Sequence, residues 1–138
     1  MMQQHDPSNH PEAGGIVDFH YIELKDVGGK TSGEQDLRPC LIWNVRVIEM
    51  IQLVAVLPIV SGATKARVAI SPAERAALGL ADTTDVVFEE ANVFLWPGPH
   101  LEPQADRSLV RPRRASKQLL NAIADGMTGR ICNIIFRP

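Results

Sequence analysis

The chain has 138 residues, of which 45% are hydrophobic and 22% are charged. This composition is typical of a globular protein and excludes a chain that is disordered throughout. The length favours one compact domain, which can bury enough apolar surface to fold without a disulfide or a bound metal. The strongest apolar stretch, residues 53–60, is too short to span a bilayer. Because the first residues also lack the apolar segment of a secretion signal, we expect a cytoplasmic protein.

Charge is unevenly distributed along the chain. Residues 1–100 hold 7 Lys/Arg and 13 Asp/Glu, a net charge of −6, whereas residues 101–138 hold 7 Lys/Arg and 3 Asp/Glu, a net charge of +4. The basic residues of the second part cluster within residues 107–117. Such a segment can bind phosphates or an acidic partner, or it can be a solvated loop that leads into a helix.

The cysteine pattern indicates neither a disulfide framework nor a metal site. Cys40 and Cys132 both lie in apolar runs, so we expect free, buried thiols. No group of His, Cys and carboxylate residues has the spacing of metal ligands. We therefore expect neither a metal nor a cofactor.

Turn residues divide the chain into short segments. Residues 1–14 are polar and contain proline and glycine, which predicts a disordered tail before a single domain over residues 15–138. Within the domain, β-branched and aromatic runs predict strands. In chain order, these cover residues 16–24, 39–60 (two antiparallel strands that turn between Asn44 and Gln52), 67–70, 84–88, 91–96 and 130–136. Pro58 cannot donate a ladder hydrogen bond, so its strand should end there or lie at an edge. Residues 25–36 contain three glycines and predict a long flexible loop.

Two helices have clear sequence signals. Ser71 can cap a helix, Glu74 can complete a capping box with it, and Gly79 can end the helix. A second helix, over residues 115–124, presents one apolar face and ends before Gly126. Short strands with two helices predict a mainly β fold with short helices, in the form of a small, strongly bent barrel.

Several motifs occur in a characteristic order. The strand GIVDF begins at Gly15, and the run SGEQDLRPCLI occupies residues 32–42. The run VLPIVS occupies residues 56–61, LAD occupies residues 80–82, and the predicted helix over residues 115–124 follows. In this order the motifs resemble those of the MazF/PemK family of toxins from toxin–antitoxin pairs.

The resemblance implies an SH3-like barrel of the CcdB/PemK type with a C-terminal helix, the fold shared with the CcdB gyrase poisons. MazF/PemK proteins are homodimers that cut single-stranded RNA at short sequences without a metal, and the disordered tail of an antitoxin blocks their RNA groove. For this chain the resemblance implies an endoribonuclease toxin, with single-stranded RNA and a cognate antitoxin as partners. We expect residues 43–54 and 115–124 to form a homodimer interface, because pairing covers the open strand edges and apolar face of a small barrel.

Metal-free cleavage of RNA requires a base near the ribose 2′-hydroxyl, an acid near the leaving oxygen and a cation on the phosphate. The resemblance implies that Arg38 is the cation, Ser61 a hydrogen-bond donor to the phosphate and Glu34 a catalytic or substrate-binding carboxylate. Arg38 can instead pair with Glu34 or Asp36 across the loop. Ser61 can be a turn residue beside Gly62, and Glu34 can be an ordinary exposed side chain.

Other side chains are further candidates for RNA binding or catalysis. We expect RNA contacts from four polar or cationic residues: Gln35, Lys30, Lys65 and Arg67. His20 is an acid–base candidate, although a histidine in the middle of a strand is more often structural. Trp43 and Trp96 can stack on bases, or they can pack in the core or at the dimer interface.

The sequence departs from the family pattern after the LAD motif. The family has Asp-Gln followed shortly by Arg, whereas this chain has Glu89-Glu90-Ala91-Asn92, and two adjacent acids repel RNA. This departure and the acidic first part of the chain favour a second hypothesis, a non-catalytic relative of the same fold that binds a protein or peptide. Convergence of Arg38 and Ser61 in one groove would favour the ribonuclease.

Overall fold

The computed structural model describes residues 9–23, 36–62 and 65–138. Over these residues the chain forms eight strands and two short helices, which confirms the prediction of a mainly β fold with short helices. Their bounds are β1 Ile16–Tyr21, β2 Asp36–Ile48, β3 Ile51–Ser61, β4 Arg67–Ala69, α1 Pro72–Leu78, β5 Thr84–Val87, β6 Glu90–Leu95, β7 Leu101–Glu102, α2 Lys117–Met127 and β8 Asn133–Arg137. The predicted flexible loop lies outside the described residues, except for Asp36 at the start of β2.

A long hairpin forms the centre of the sheet, as the sequence predicts. β2 and β3 pair antiparallel from Cys40 with Pro58 to Ile48 with Ile51. The turn between them includes Glu49, whose φ is 56°. The strand order is β4-β5-β3-β2-β1-β7, and β6 pairs with both β3 and β8. The pairing of β6 with β8 is parallel, and the other strand pairs are antiparallel.

β3 changes its outer partner along its length. Its residues up to Val56 pair with β6, and its residues from Ile59 onward pair with β5. Pro58 lies between these two ladders, where its missing N–H removes no outer ladder bond. Pro58 pairs with Cys40 on its inner side and is unpaired on its outer side, and the strand continues past it to Ser61.

Side chains at the start of β6 join this strand to the end of β1 and close the sheet into a barrel-like shape. Asn92 accepts a hydrogen bond from Ile22 N at 3.1 Å, and its amide donates to Ile22 O at 3.0 Å. Tyr21 OH donates to Glu90 Oε1 at 3.0 Å. Because β1 and β6 do not pair directly, these contacts define the relative position of their ends.

Helix α1 begins and ends where the sequence predicts. Ser71 Oγ accepts a hydrogen bond from Glu74 N at 3.2 Å, and Gly79 follows the last turn with a φ of 69°. The Glu74 side chain does not follow the predicted capping box, because its two oxygens bind Ser116, the N-cap residue of α2. No helix in the described part of the chain is long and apolar enough to cross a membrane.

Helix α2 extends beyond its predicted end and includes Gly126. A Cβ atom at this position would lie 2.9 Å from Phe88 Cε2, so glycine allows the helix to pack directly on the aromatic ring. Leu119 and Ile123 are buried within the core of the same chain. The apolar face of α2 is therefore already covered.

Two clusters of buried apolar side chains fill the interior of the fold. One cluster joins the sheet to α2, and the other lies between β1, β2, β3 and β6. Cys40 is buried in the second cluster, as predicted, whereas Cys132 is only partly buried. Both thiols are free.

Residues 9–14, which belong to the predicted tail, contact the barrel. Trp96 Nε1 donates to Asn9 O at 3.0 Å, and Arg114 Nη1 lies 2.7 Å from Glu12 Oε1. Arg114, one of the cations of the basic segment, therefore forms an ion pair with a residue of the same chain.

Candidate active site

A groove with a volume of about 810 Å³ lies at the open end of the β2–β3 hairpin. Residues near the ends of β1 and β3, the starts of β2 and β6, and the connection between α1 and β5 contribute to its walls. Arg38 and Ser61 both line it, so the two residues that the sequence singles out on separate strands border the same concave site. The polar and charged side chains of the lining are Glu23, Asp36, Arg38, Ser61, Lys65, Thr84, Glu90 and Arg111.

Two neighbouring side chains hold Arg38 at the groove. Its guanidinium donates a hydrogen bond to the Asp36 carboxylate, and its Cζ lies 5.9 Å from the centroid of the Tyr21 ring. The Arg38 side chain is 19% exposed, compared with 67% for Asp36. The sequence allowed Arg38 either to pair with a loop carboxylate or to face the groove. In the structure it does both, because it pairs with Asp36 and also lines the groove.

Ser61 is the last residue of β3 and lies opposite Thr84 of β5. It is exposed, and the following Gly62 has a φ of 65°, which suits the bend that ends the strand. Ser61 therefore lies next to a bend, which is the structural role that the sequence allowed for it. It also lines the groove.

Lys65 enters the groove between two carboxylates. Its Nζ donates to Glu90 Oε2 at 2.9 Å and to Glu23 Oε1 at 3.3 Å. Burial lowers the pKa of Lys65, but the hydrogen bonds and negative charges of Glu90 and Glu23 outweigh burial and raise the pKa above its ordinary value. Lys65 is therefore an ammonium ion at neutral pH.

Glu90 is the most deeply buried partner of Lys65. Its side chain is 3% exposed, and its other oxygen accepts the hydrogen bond from Tyr21 OH. Burial and the charge of Glu90 raise the pKa of the Tyr21 phenol, which remains protonated as a donor. The adjacent Glu89 accepts a hydrogen bond from Ala66 N at 3.0 Å. The two acids that depart from the family pattern thus have partners within the chain.

Arg111 forms one boundary of the groove and is held within the fold. Its Nη2 lies 2.7 Å from Asp18 Oδ1, and its Nη1 donates to the carbonyls of Leu78 and Gly79 at 3.3 and 3.4 Å. These contacts join β1 to the end of α1. Arg111, a member of the basic segment, therefore has a structural role in joining these two elements.

The other predicted site residues have different positions. Arg67 does not line the groove; its Nε lies 3.4 Å from Asp85 Oδ2, and its Nη1 donates to Lys65 O. Three predicted residues lie outside the described part of the chain: Glu34, Gln35 and Lys30.

The histidine and tryptophan candidates lie away from the groove lining. His20 Nε2 lies 3.2 Å from Glu102 Oε1 on the neighbouring strand β7. Trp43 and Trp96 are partly buried and pack against the two core clusters, as their structural alternative predicted.

The charges of the described groove residues balance formally. Arg38, Lys65 and Arg111 oppose Glu23, Asp36 and Glu90. Because its net formal charge is zero, such a site attracts a polyanion only weakly. It nevertheless holds proton donors and proton acceptors at short distances from each other. The arrangement suits acid–base chemistry on a bound group.

Sequence reasoning missed Glu23 and Tyr21, and it treated Glu90 only as an obstacle to RNA. Glu90 is an acid at the start of a strand that otherwise contains mainly apolar residues, and this unusual position is a weak signal of a buried ion pair. Its partner Lys65 is 25 residues away, so the sequence alone gives no indication of the contact.

Within residues 9–23, 36–62 and 65–138, no three His, Cys, Asp or Glu side chains form a group that could hold a metal ion. Comparisons of this chain with protein-family models, with curated proteins and with solved structures find no match.

Proposed function

We propose that this chain is the toxin component of a toxin–antitoxin pair, a metal-independent endoribonuclease of the MazF/PemK type that cuts single-stranded RNA at short sequences. One observation carries the proposal: Arg38 and Ser61, which the family motifs mark on two different strands, line a single groove. The groove also contains Lys65, the only other predicted contact residue among those described that lines it. We propose that the protein acts in the cytoplasm, on cellular RNA.

In this mechanism the ribose 2′-hydroxyl attacks the adjacent phosphate, whose negative charge increases in the transition state. The Arg38 guanidinium can donate two parallel hydrogen bonds to the phosphate oxygens, and Asp36 and the Tyr21 ring restrict its orientation. The Ser61 hydroxyl, on the neighbouring strand β3, is a neutral hydrogen-bond donor to the phosphate. The products are a 2′,3′-cyclic phosphate and a free 5′-hydroxyl.

The direct test incubates the purified protein with a long single-stranded RNA in the presence of a chelator. The proposal requires discrete cleavage products that end in a 2′,3′-cyclic phosphate. Arg113→Ala is a matched control for Arg38→Ala, because Arg113 is exposed and lies outside the groove. If the parent protein leaves all RNA uncut, or if Arg38→Ala cuts as fast as Arg113→Ala, the enzymatic proposal is wrong.

The balanced charge of the groove favours one alternative function. A site with three cations and three carboxylates among its described residues can bind a mixed-charge peptide or a protein partner without catalysis. This alternative predicts growth inhibition without RNA cleavage, as for a gyrase poison of the same fold. Expression of the gene against an empty vector, followed by analysis of cellular RNA, distinguishes the two.

We also propose a homodimer. Seven exposed apolar residues lie at the hairpin tip and on β6 and β8: Val47, Ile48, Met50, Ile51, Leu95, Ile134 and Phe136. The exposed apolar residues at the hairpin tip support the expected role of the hairpin in the interface. Helix α2 was also expected there, but its apolar residues Leu119 and Ile123 are buried in the core of the same chain. In the proposed interface, the outer surface of β6 and β8 therefore replaces helix α2. The cognate antitoxin would then bind across the groove and block RNA.

A further inference from the structure

The proposed ribonuclease needs more than charge stabilisation. Arg38 and Ser61 can bind the phosphate, but neither accepts a proton from the 2′-hydroxyl or returns one to the leaving 5′-oxygen at neutral pH. Among the described residues, no histidine lines the groove. The acid and the base must therefore come from other groups.

Resting on the proposed function, we infer that Glu23 is the general base and Lys65 the general acid of RNA cleavage. Both side chains line the groove, and Glu23 Oε1 lies 3.3 Å from Lys65 Nζ. Their side chains are 29% and 33% exposed, so each is partly buried but accessible to a ligand. Among the described residues, Asp36 is the other groove carboxylate with an exposed side chain, and it is paired with the Arg38 guanidinium.

The surroundings of Lys65 explain how it holds its proton before the reaction. Glu90 Oε2 accepts from Lys65 Nζ at 2.9 Å on the buried side, and Tyr21 OH orients the same carboxylate. Glu90 and Tyr21 are thus positioning residues, and Glu23 lies on the more exposed side of the ammonium. The leaving 5′-alkoxide is far more basic than an amine, so it can take the proton even from this stabilised ammonium.

The proposed step balances without a further reactant. Glu23 takes the proton of the 2′-hydroxyl, and the oxygen uses the released electron pair to bond to phosphorus. The bond from phosphorus to the 5′-oxygen breaks, its electron pair stays on that oxygen, and Lys65 supplies the proton. Glu23 is then a carboxylic acid and Lys65 a neutral amine. The hydrogen bond between them returns the proton from Oε1 to Nζ and restores both groups.

A sulfur substitution in the substrate tests the role of Lys65. An RNA oligonucleotide that spans a cleavage site mapped with the parent protein is prepared with the 5′-oxygen of the scissile bond replaced by sulfur. A thiolate leaves without protonation, so this substrate needs the base but not the acid. Lys65→Met should lower kcat on ordinary RNA by about 100- to 10,000-fold, and the sulfur substrate should restore it nearly to the parent value. Glu23→Gln should lower kcat by a similar factor on both substrates.

Lys65→Arg separates proton donation from charge and from folding. Arginine keeps the positive charge opposite Glu90 and Glu23, but it does not give up a proton near neutral pH. If Lys65 acts as the acid, Lys65→Arg loses kcat on ordinary RNA and regains it on the sulfur substrate. A purely electrostatic or structural role instead predicts that Lys65→Arg cuts ordinary RNA at nearly the parent rate, which would overturn the inference.

Two controls complete the experiment. Lys117→Met and Glu49→Gln repeat the same chemical changes at exposed positions outside the groove and should leave kcat unchanged. Affinity for an oligonucleotide with a 2′-deoxy sugar at the cleavage site should change little in Lys65→Arg and Glu23→Gln. A parent protein that cuts no RNA overturns the proposed function and this inference together. A parent that cuts RNA, with no sulfur rescue of either Lys65 variant, overturns only the assignment of the acid.

Discussion

Glu74 of helix α1 caps helix α2 through Ser116. Its Oε2 accepts from Ser116 N at 2.6 Å, and its Oε1 accepts from Ser116 Oγ at 2.9 Å. Ser116 Oγ in turn accepts from Leu119 N, the usual N-cap bond. One carboxylate at the start of α1 therefore also satisfies groups at the start of α2, where negative charge is favoured.

Replacing Glu74 should destabilise the fold through this contact. Glu74→Ala leaves the partly buried N–H of Ser116 without its acceptor, and we expect the free energy of unfolding to fall by about 1–2 kcal/mol. Urea denaturation measures the change, with Glu49→Ala as a control at an exposed turn. A loss no larger than that of the control would mean that the link between the helices contributes nothing to stability.

Arg38 and Ser61 should differ in their effect on catalysis. Arg38→Ala removes a charged donor from a phosphate that gains charge, so kcat should fall by roughly 100- to 1000-fold while the fold persists. Ser61→Ala removes a neutral hydroxyl and should lower kcat less. Single-turnover cleavage of RNA gives both rates, and circular dichroism monitors folding. Equal losses in the two variants would contradict the assignment of Arg38 as the main phosphate ligand.

His100 should make the protein less stable in mild acid. Burial, together with the nearby charges of Arg137 and His20, lowers the pKa of His100 below its ordinary 6.5 in the folded state, despite an opposing hydrogen bond to Pro138 O. The unfolded chain then binds a proton more readily, so stability is full above pH 6.5 and falls as the pH drops toward the folded pKa. Urea unfolding at pH 7.5 and 5.5 should show this loss, and His100→Gln should reduce it. An unchanged pH dependence in the variant would assign the loss to other groups.

The proposed dimer can be tested by its mass and by one substitution. Light scattering should give about twice 15.1 kDa at micromolar concentration. Phe136, which is 55% exposed on β8, is a suitable position for a charge, because Phe136→Glu would place a carboxylate in the proposed apolar interface. We expect this variant to be monomeric and folded, whereas Arg113→Glu should remain dimeric. A parent mass near that of one chain at every concentration removes the proposal.

Features that depend on neighbouring residues were predictable from the sequence. The start of α1 at Ser71 and its end at Gly79 follow from hydrogen bonds and backbone conformations within a few residues. The hairpin between β2 and β3 follows from the β-branched pattern over residues 39–60. The motifs around Arg38 and Ser61 likewise marked two residues that line the groove.

Only the tertiary structure determined which side chains meet across the fold. Glu74 binds Ser116, 42 residues away, rather than completing its own capping box, because α2 presents unsatisfied donors beside it. Gly126 remains within α2 because the helix packs on Phe88, although glycine in isolation favours a helix end. The contact of Lys65 with Glu90 and Glu23 arises because the start of β6 lies beside the end of β1. The amino-acid sequence specifies these residue types, but the distance between two residues far apart in the chain depends on the packing of all the strands between them.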